Sequence, residues 1–457
     1  MADIKNSSFT VLGAGRSGIA IAKLLKYNGA EVFLSDEHER EELKYFDEQI
    51  FIDGGIKYEL GKHSDKVYES DVVIKSPGIA PENEVILKSK QLGKKIYSEI
   101  EAAYWFCKAP VIAITGTNGK TTTSVLTGEI FKNAGFDVKV CGNVGLAFSE
   151  VIPFLKEESI VVLEVSSYQL NDIKDFRPAV SVIMNITPDH IDWHGSFENY
   201  MNAKLNILKN QSETDITIIN YDDDRLKKAV KDIKPEKAFF SIEKNLTESD
   251  VKRGSFIKDD KIIYFDKEKS IEEEIMLVKD INIRGKHNLY NSLAAIISAR
   301  AFEIRNEVLR NTLISFPGVE HRIEFVKVLH GISFYNDSKA TNIDSLIVAL
   351  ESFEKDLILI MGGREKGNDY TVIDKLISER VKVIIAIGET KDKISKHFEK
   401  IKKVISADSM EDAVIKAIES GKAGDTVLLS PACKSFDMFE NFEHRGEEFK
   451  KAVNRLR

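Results

Sequence analysis

The sequence predicts an α/β protein made of three consecutive domains, and two observations lead to this class. Short β-branched runs such as FTVLG, EVFLS and DVVIKS alternate with helix-length amphipathic stretches, for example residues 19–28. This alternation is typical of parallel sheets whose strands are joined by crossover helices. In addition, 457 residues are too many for one ordinary core, because most domains contain about 100–200 residues.

Interruptions of this pattern give the expected domain boundaries. The first domain covers residues 1–107, and the second covers residues 108–316, beginning with the strand, loop and helix of APVIAITGTNGKTTT. Residues 221–280 are highly charged, with short strand-like pieces, and are interpreted as a peripheral extension of the second domain. The breaker sequence Phe316-Pro317-Gly318 precedes the third domain, residues 317–457, in which GISFYND, DLILIMGG, KVIIAIG and TVLLSPA predict strands.

Composition excludes several classes of protein. The chain is 43% hydrophobic and 30% charged, and it contains no apolar run near the roughly 20 residues that a membrane helix needs. Its first residues lack the features of a secretory signal, so we expect a cytoplasmic protein with no membrane partner. The net charge of -8 argues against a nucleic-acid partner. Three widely spaced cysteines form neither a disulfide framework nor a zinc pattern.

The most specific motif is the loop TGTNGKT at residues 115–121, between the strand VIAI and a helix. Glycines let a backbone close around phosphate oxygens, and the amide groups of a helix N-terminus attract them. Lys120 can neutralise terminal phosphates, and Thr121 is placed to hold magnesium. The spacing departs from the general phosphate loop, since Ile114 occupies the position of its first glycine. Triphosphate binding is the favoured interpretation, and a chance turn is the competing one.

Two downstream features could complete such a site. Glu164 ends the apolar run IVVLE, and residues 187–194 (TPDHIDWH) bring two aspartates and two histidines into one loop. Parallel sheets bind ligands at the carboxyl ends of their strands, and magnesium prefers oxygen ligands. The competing interpretation is a solvated strand end followed by histidines with structural roles only.

Strings spread over almost the whole chain, in order, resemble the Mur ligase family: TGTNGKTTT, LEVSSYQL, NITPDHIDWHG, YMNAK, RGKHNLYNSLAA, FPGVEHRIE, NDSKATN and LLSPACKSFDMFENFEHRG. The resemblance implies an N-terminal Rossmann-like domain, a central P-loop-type ATPase domain with a parallel sheet, and a C-terminal Rossmann-like domain. The last string, NDSKATN and the N-terminal GAGRSG indicate the branch that adds D-glutamate to UDP-N-acetylmuramoyl-L-alanine in the cytoplasmic stage of peptidoglycan synthesis.

The implied chemistry explains why such a protein needs a phosphate loop. A carboxylate does not react usefully with an amine, so ATP first converts it to an acyl phosphate. Phosphoryl transfer depends on charge neutralisation and alignment, which a lysine, magnesium and carboxylates supply. The resemblance implies ATP and Mg2+, expected as two ions, as cofactors. It implies the nucleotide sugar, D-glutamate and ATP as partners, and a monomer.

The resemblance also implies individual roles. Lys120, His190 and Lys204 are the expected catalytic residues, and the expected metal ligands are Thr121, Glu164, His190 and Lys204 in carbamylated form. The expected ATP-binding residues are Gly116, Thr117, Asn118, Gly119, Lys120, Thr121, Thr122, Asn288, Asn291, Arg322 and Asp337. The nucleotide-sugar residues are Gly15, Arg16, Ser17, Asp36, Ser76, Pro77, Gly78, Asn143, Ser166 and His190. The D-glutamate residues are Lys339, Thr341, Lys366, Ser435 and Phe442.

The N-terminal GAGRSG motif, at residues 13–18, supports a rival hypothesis. It follows a strand and opens a helix, and Asp36 ends the next strand, which together form a dinucleotide fingerprint. Taken alone, it predicts an NAD-dependent oxidoreductase. However, nothing else in the chain forms a hydride-transfer centre with it, and the second phosphate loop would have no role. The same arrangement suits the diphosphate of a UDP-sugar, with Asp36 near the uridine and the turn at Ser76 beside the uracil.

Two more classes of protein are compatible with a phosphate loop. An ATP-driven switch would use the loop but make no amide product. Sibling ligases add L-alanine, a diamino acid or a glutamate on folate, and the string LLSPACKSFDMF argues against them. The chain departs from the common family pattern at Trp193, Lys434 and the pair Arg364-Glu365, so no role is assigned to those residues.

Overall fold

The computed structural model describes residues 4–283, 285–365 and 367–456. The chain forms two compact units: residues 1–280 with 290–314 make the first, and residues 281–289 with 315–457 make the second. The first unit contains two sheets and the second contains one. The expected boundaries at 107/108 and 316/317 stay predictions.

The first sheet has five parallel strands in the order β3-β2-β1-β4-β5. Its strands are β1 (Ser8–Leu12), β2 (Glu31–Ser35), β3 (Lys57–Glu59), β4 (Val72–Lys75) and β5 (Lys95–Ser98), and its helices are α1 (Arg16–Tyr27), α2 (Glu48–Gly54), α3 (Glu84–Gln91) and α4 (Glu99–Tyr104). The β-branched runs that predicted β1, β2 and β4 are buried strands, and α1 covers the predicted amphipathic stretch.

The second sheet has nine strands in the order β14-β13-β12-β11-β10-β9-β6-β8-β7. The strands are β6 (Val111–Thr115), β7 (Val138–Gly142), β8 (Ile160–Glu164), β9 (Val180–Ile183), β10 (Ile216–Asn220), β11 (Glu236–Ser241), β12 (Arg253–Lys258), β13 (Lys261–Asp266) and β14 (Ile271–Leu277). The accompanying helices are α5 (Lys120–Asn133), α6 (Phe148–Val151), α7 (Ser167–Leu170), α8 (Ile191–His194), α9 (Phe197–Leu205), α10 (Asp224–Ala229), α11 (Lys286–Arg300) and α12 (Asn306–Ser315).

This sheet is mostly parallel, but its far edge is not. Strands β12, β13 and β14 pair antiparallel, and Asp259 and Asp260 connect the first two with positive φ angles of 49° and 57°. Two residues with positive φ match the twist of a tight hairpin, which explains why the chain reverses here without a crossover helix. The charged stretch 221–280 therefore continues the central sheet at its edge.

The second unit contains a six-stranded sheet in the order β15-β16-β20-β17-β18-β19. The strands are β15 (Glu324–Leu329), β16 (Ile332–Asn336), β17 (Leu357–Met361), β18 (Val381–Ile387), β19 (Lys403–Ala407) and β20 (Thr426–Leu429), and the helices are α13 (Ile343–Glu351), α14 (Asp374–Arg380), α15 (Lys391–Phe398), α16 (Met410–Ser420) and α17 (Phe442–Arg455). All strands are parallel except the edge strand β15.

The cores follow this layering. The central strands β6, β8, β9 and β17 are buried at every position, as expected for parallel sheets covered by helices on both faces. Among the described residues, no helix has both the length and the apolar character needed to span a membrane.

Candidate active site

The candidate site lies where three neighbouring strands of the central sheet end. Strands β9, β6 and β8 are adjacent and parallel, so the loops that follow Ile183, Thr115 and Glu164 emerge at one edge. Parallel α/β sheets bind ligands at this carboxyl edge. The phosphate loop, the buried carboxylate and the histidine-containing loop predicted from the sequence thus come together in the first unit.

The phosphate loop closes tightly before α5. Gly116 and Gly119 have φ angles of 149° and 87°, and a Cβ on Gly119 would lie 2.5 Å from Asn291 Oδ1, so only glycine fits there. Helix α5 begins at Lys120, which directs the positive end of its dipole to the loop. Lys120 Nζ donates to the carbonyl oxygens of Gly116 (2.9 Å) and Thr117 (2.7 Å).

Asn185, which sequence reasoning missed, holds the loop in shape. Its Oδ1 accepts from the N–H of Asn118 at 2.9 Å, and its Nδ2 donates to the carbonyl oxygen of Asn118 at 3.1 Å. The backbone carbonyl of Asn185 also accepts from the N–H of Thr117 at 2.9 Å. The only sequence signal was its place in the string NITPDHIDWHG.

Thr117 adds a second attachment of the loop. Its hydroxyl donates to the carbonyl oxygen of Thr187 at 3.0 Å and accepts from the N–H of the same residue at 3.0 Å. It also lies 3.0 Å from the hydroxyl of Tyr200, on α9. The loop is therefore fixed before any nucleotide binds, which reduces the conformational entropy lost on binding.

Glu164 places in the site a carboxylate oxygen that no described residue contacts by a hydrogen bond. Its side chain is 2% exposed, and its Oε1 accepts from Asn143 Nδ2 at 2.9 Å. Its buried Oε2 has no hydrogen-bond partner among the described residues. A buried carboxylate oxygen is costly to leave unsatisfied, so this atom is suited to a cation. Thr121, the other expected metal ligand beside Lys204 and His190, is buried in the first turn of α5.

Lys204 is buried, whereas a helix lysine is usually exposed. It lies on α9 with 2% exposure, and its Nζ donates to the carbonyl oxygen of Gly116 at 2.8 Å, the same oxygen that Lys120 contacts. Burial and then the charge of Lys120 lower the pKa of Lys204 well below its ordinary value, although Asp189 and Glu164 act in the opposite direction.

The histidine loop contains one exposed and one buried histidine. His190 is exposed, has a φ of 52°, and lies 3.4 Å from Asp189 through Nε2. His194 is buried, with Nε2 2.9 Å from Ser167 Oγ, and burial lowers its pKa to about 4. The neutral His194 therefore serves the packing of the loop, while His190 faces the open side, consistent with its predicted role.

Several of the residues expected at the nucleotide sugar follow strands of the first sheet, at its carboxyl edge. Asp36 Oδ2 accepts from the N–H of Ala14 at 2.5 Å, and its Oδ1 accepts from His38. Burial alone would raise the pKa of Asp36, but these hydrogen bonds lower it. Asp36 thus shapes the loop at residues 13–18, and Arg16, next to Gly15 and Ser17 there, donates to the carbonyl oxygen of Gly145.

Two further residues expected at the sugar are engaged locally. The hydroxyl of Ser76 lies 3.4 Å from the carbonyl oxygen of Gly13, so the turn with Pro77 and Gly78 is tied to the glycine loop. Ser166 forms a capping box with Gln169 at the start of α7. Both contacts fix backbone geometry, and the predicted substrate contacts of these residues stay predictions.

The expected ATP residues of the later chain lie in two places. Asn291 is in the first unit, where its Oδ1 accepts from Thr123 Oγ1 at 3.2 Å. Thr122, which precedes Thr123 on α5, is buried. Asn288, Arg322 and Asp337 belong to the second unit. Asp337 is buried, accepts from Ser430 Oγ at 2.7 Å, and has a pKa that burial raises to about 7. The predicted ATP contacts of these residues stay predictions.

The four described residues expected to bind D-glutamate lie after β16 and β20, which are neighbouring strands. Lys339 Nζ lies 5.4 Å from the centre of the Phe442 ring, and Ser435 is buried. Thr341 is partly exposed just before α13. Lys366 lies outside the described residues.

Arg445, also missed by sequence reasoning, organises these loops. Its buried guanidinium donates to Ser338 Oγ (2.9 Å), to the carbonyl oxygen of Ser338 (2.7 Å) and to that of Cys433 (3.0 Å). Burial lowers its pKa to about 10, so it stays cationic at neutral pH. It joins the loop that carries Lys339 to the one that carries Ser435.

Comparisons with known proteins agree with this arrangement. Three family models match successive parts of the chain: the MurD N-terminal domain over residues 8–85, the Mur ligase middle domain over 114–299, and the Mur ligase glutamate ligase domain over 321–433. A curated relative from Salinibacter ruber, named UDP-N-acetylmuramoylalanine–D-glutamate ligase, is 40% identical over 99% of both chains. One of the same name from Caldicellulosiruptor bescii is 43% identical over 99% of both chains.

Solved structures share the fold at lower identity. A pseudomurein peptide ligase type C from Methanothermus fervidus has a TM-score of 0.62 and 20% identity, covering 99% of this chain and 100% of the other. A MurF ligase from Thermotoga maritima in complex with ADP has a TM-score of 0.60 and 17% identity, covering 100% of both chains. Together with the full-length relatives at about 40% identity, these matches place the chain: it belongs to the Mur ligase family, and its N-terminal domain is of the MurD type.

Proposed function

We propose that this chain is an ATP-dependent ligase that joins D-glutamate to UDP-N-acetylmuramoyl-L-alanine, releasing ADP and phosphate, in peptidoglycan synthesis. The observation that carries the proposal is the meeting of three groups at one edge of the central sheet. These are a preformed phosphate loop with Lys120, the buried carboxylate of Glu164, one oxygen of which has no hydrogen-bond partner in the described part of the chain, and the buried Lys204. Relatives that carry this ligase name over their full length support the same activity.

The reaction takes place in two steps. A carboxylate oxygen of the nucleotide sugar attacks the γ-phosphorus of ATP, and the bond from that phosphorus to the β-bridging oxygen breaks, giving an acyl phosphate and ADP. The amine of D-glutamate then attacks the acyl carbon, phosphate leaves, and the amine loses a proton. Neither step needs a protein nucleophile, so the enzyme contributes alignment and charge stabilisation. Lys120, at the start of α5, is placed to neutralise the terminal phosphates.

The residues present fit magnesium. Glu164 Oε2 is a buried anionic oxygen without a partner among the described residues, and the buried Thr121 offers a hydroxyl at the position where phosphate loops bind the ion. His190 completes the proposed ligands together with a modified Lys204, and we propose two ions. Bound there, magnesium would neutralise charge on the transferring phosphoryl group.

Lys204 is proposed to be carbamylated. Its Nζ and that of Lys120 contact the same carbonyl oxygen, so two ammonium groups would repel each other at short range. The ammonium group first loses a proton, and addition of CO2 to the neutral amine then gives a carbamate and releases a second proton, so that a negative charge replaces a positive one beside Lys120. A carbamate signal in the 13C NMR spectrum of protein equilibrated with 13C-bicarbonate, absent from Lys204→Met, is the expected result. Identical spectra would contradict the modification.

The remaining roles follow the positions of the residues. Asn143, which contacts Glu164, is proposed to hold the muramoyl part, and the loops at Gly15 and Ser76 to hold the uridine diphosphate. Lys339 and Ser435 are proposed to bind the carboxylates of D-glutamate, since ammonium and hydroxyl groups suit a dicarboxylate. We propose a cytoplasmic location, because ATP and nucleotide sugars are cytoplasmic metabolites. We also propose a monomer, as the family resemblance implies.

The deciding experiment measures ADP release by the purified protein with UDP-N-acetylmuramoyl-L-alanine, ATP and magnesium. Parallel reactions contain D-glutamate, L-glutamate, L-alanine, L-lysine or meso-diaminopimelate. ADP release that requires D-glutamate, with a product mass that fits the new amide, is expected. Release with another amino acid would keep the ligase chemistry and change the substrate, and no release with any of them would contradict the proposal.

A further inference from the structure

Lys75 is a buried lysine at the end of β4, directly before the turn that is proposed to bind the uracil. Its side chain is 1% exposed, although lysines are rarely buried without a specific partner. Nζ donates to the carbonyl oxygen of Ile79 at 3.1 Å, which closes the turn 76–79 over the lysine. This hydrogen bond therefore holds the turn against β4 of the first sheet.

The other partners of Lys75 come from the central sheet. Nζ lies 3.0 Å from Oδ2 of Asp172, which follows α7. Nζ also lies 5.2 Å from the centre of the Trp193 ring, in the loop that carries His190. Both sheets belong to the same compact unit. One ammonium group therefore contacts the uracil turn, the segment after Glu164 and the histidine loop.

Trp193 connects this contact to the candidate site. Its ring centre lies 4.5 Å from that of Tyr168 and 4.4 Å from that of His194, and the Tyr168 ring lies 5.1 Å from that of His190. Lysine over an indole face is an attractive cation–π contact. A shift of Lys75 would therefore be transmitted through packed rings to His190.

Stability does not explain the buried ion pair. Removing two charges from water is costly, and well-packed apolar residues often replace such a pair without loss. The ion pair does fix the position of the Lys75 ammonium group, because this group contacts the carboxylate of Asp172, the carbonyl oxygen of Ile79 and the indole face together in one arrangement. Alignment of a distant substrate end with the reacting group is a requirement of this chemistry.

We propose that Lys75 is a positioning residue that couples the turn at residues 76–79 to the His190 loop, so that the uridine end of the substrate sets the placement of its reacting carboxylate. This rests on the proposed function. It concerns a residue to which neither the motifs nor the expected site assigns a role. The ligand at the turn is a uridine diphosphate group, and Lys75 acts through Asp172 and Trp193 without contacting it.

The first test separates binding from coupling. Lys75→Met and Asp172→Asn are compared with wild type and with Lys57→Met, which removes an exposed ion pair to Glu31 in the same sheet. In both test variants, kcat/KM for the nucleotide sugar should fall on the order of 10- to 100-fold. In Asp172→Asn, which leaves the hydrogen bond from Lys75 to Ile79 in place, the Kd for UDP alone and the KM for ATP should change less than about twofold. The double variant should be no worse than Lys75→Met, since both changes break one interaction.

A second test does not depend on turnover. The chain has two tryptophans, so in a Trp105→Phe background the emission reports on Trp193 alone. Addition of saturating UDP should change this emission when the Lys75–Asp172 pair is intact, and should leave it unchanged after Lys75→Met or Asp172→Asn. If Lys75→Met fails to fold, Asp172→Asn alone provides both readouts.

The outcomes are distinct. Wild-type turnover in both variants, or an emission change that persists without Lys75, would overturn the coupling. A parallel loss of UDP affinity in Asp172→Asn would also overturn it, because the ion pair would then only maintain the turn. If the wild-type protein makes no amide with D-glutamate but shows the Lys75-dependent emission change, the proposed function fails and the coupling stands.

Discussion

The attachment of the phosphate loop by Asn185 gives the most direct quantitative prediction. The substitution Asn185→Ala removes two hydrogen bonds to Asn118, of 2.9 and 3.1 Å, and leaves the backbone attachment of Thr117 in place. Each such bond contributes a net stabilisation of about 0.5–1.5 kcal/mol, so about 1–3 kcal/mol of loop ordering is lost. If nucleotide must restore that order, its Kd rises roughly 5- to 150-fold, since 1.4 kcal/mol is tenfold.

The assay is calorimetric titration of the folded protein with ADP and magnesium. The matched control is Asn28→Ala, which removes an amide that donates to the carbonyl oxygen of Leu24 at 2.8 Å, at the end of α1 and away from the loop. We expect the control to bind ADP like wild type. An unchanged Kd in Asn185→Ala, with a normal circular dichroism spectrum, would refute the argument that the loop is held before the nucleotide arrives.

Three further predictions concern charged side chains. Lys120→Ala should lower ADP formation on the order of 10²- to 10³-fold, and unchanged turnover would contradict its place at the phosphates. Glu164→Gln keeps an acceptor for Asn143 but removes the charge, so magnesium titrations of activity should shift to concentrations at least about tenfold higher, and an unshifted curve would exclude it as a ligand. Burial raises the pKa of Glu99 to about 7, above its unfolded value, while Ser149 donates to its carboxyl group. The contribution of Glu99 to folding stability is complete below about pH 4.5 and is lost as the pH rises through about 7. This loss lowers the free energy of unfolding by an amount on the order of 3 kcal/mol. The free energy of unfolding, measured by urea denaturation at pH 5 and pH 8, should show this loss in wild type and not in Glu99→Gln. An equal change with pH in both proteins would contradict the prediction.

Much of the fold could be predicted because parallel sheets leave a strong local signal. Runs such as IVVLE, with every residue buried in β8, have the continuous apolar character that both-sided burial requires. The loops that carry Lys120, Glu164 and His190 follow adjacent strands at one edge of the sheet, and the roles of these residues stay predictions. The run KIIYFD, a strand-like piece of the charged stretch, is β13, whereas β14 was less apparent, since it has exposed glutamates at alternate positions and resembles a solvated segment.

The supporting contacts could not be predicted, because their partners are far apart in sequence. Asn185 meets Asn118 across 67 residues, and Arg445 meets Ser338 across 107. Asparagine and arginine are ordinary surface residues, and no local pattern indicates which of them a distant loop will bury. Lys204 illustrates the same difficulty, since its position on α9 carries no signal of burial, and only the resemblance assigned it a role.

The coupling proposed for Lys75 requires that the first and central sheets do not slide past each other, and Glu101 meets this requirement. Its fully buried carboxylate accepts from the consecutive N–H groups of residues 174–176, each at 2.9 Å, and from Trp105 Nε1 at 3.0 Å. Four donors to one carboxylate fix both the position and the rotation of α4, because the acceptor directions of both oxygens are used. The turn at residues 76–79 and Glu164 thus lie in one compact unit, in which Glu101 ties the two sheets together as the proposed coupling requires.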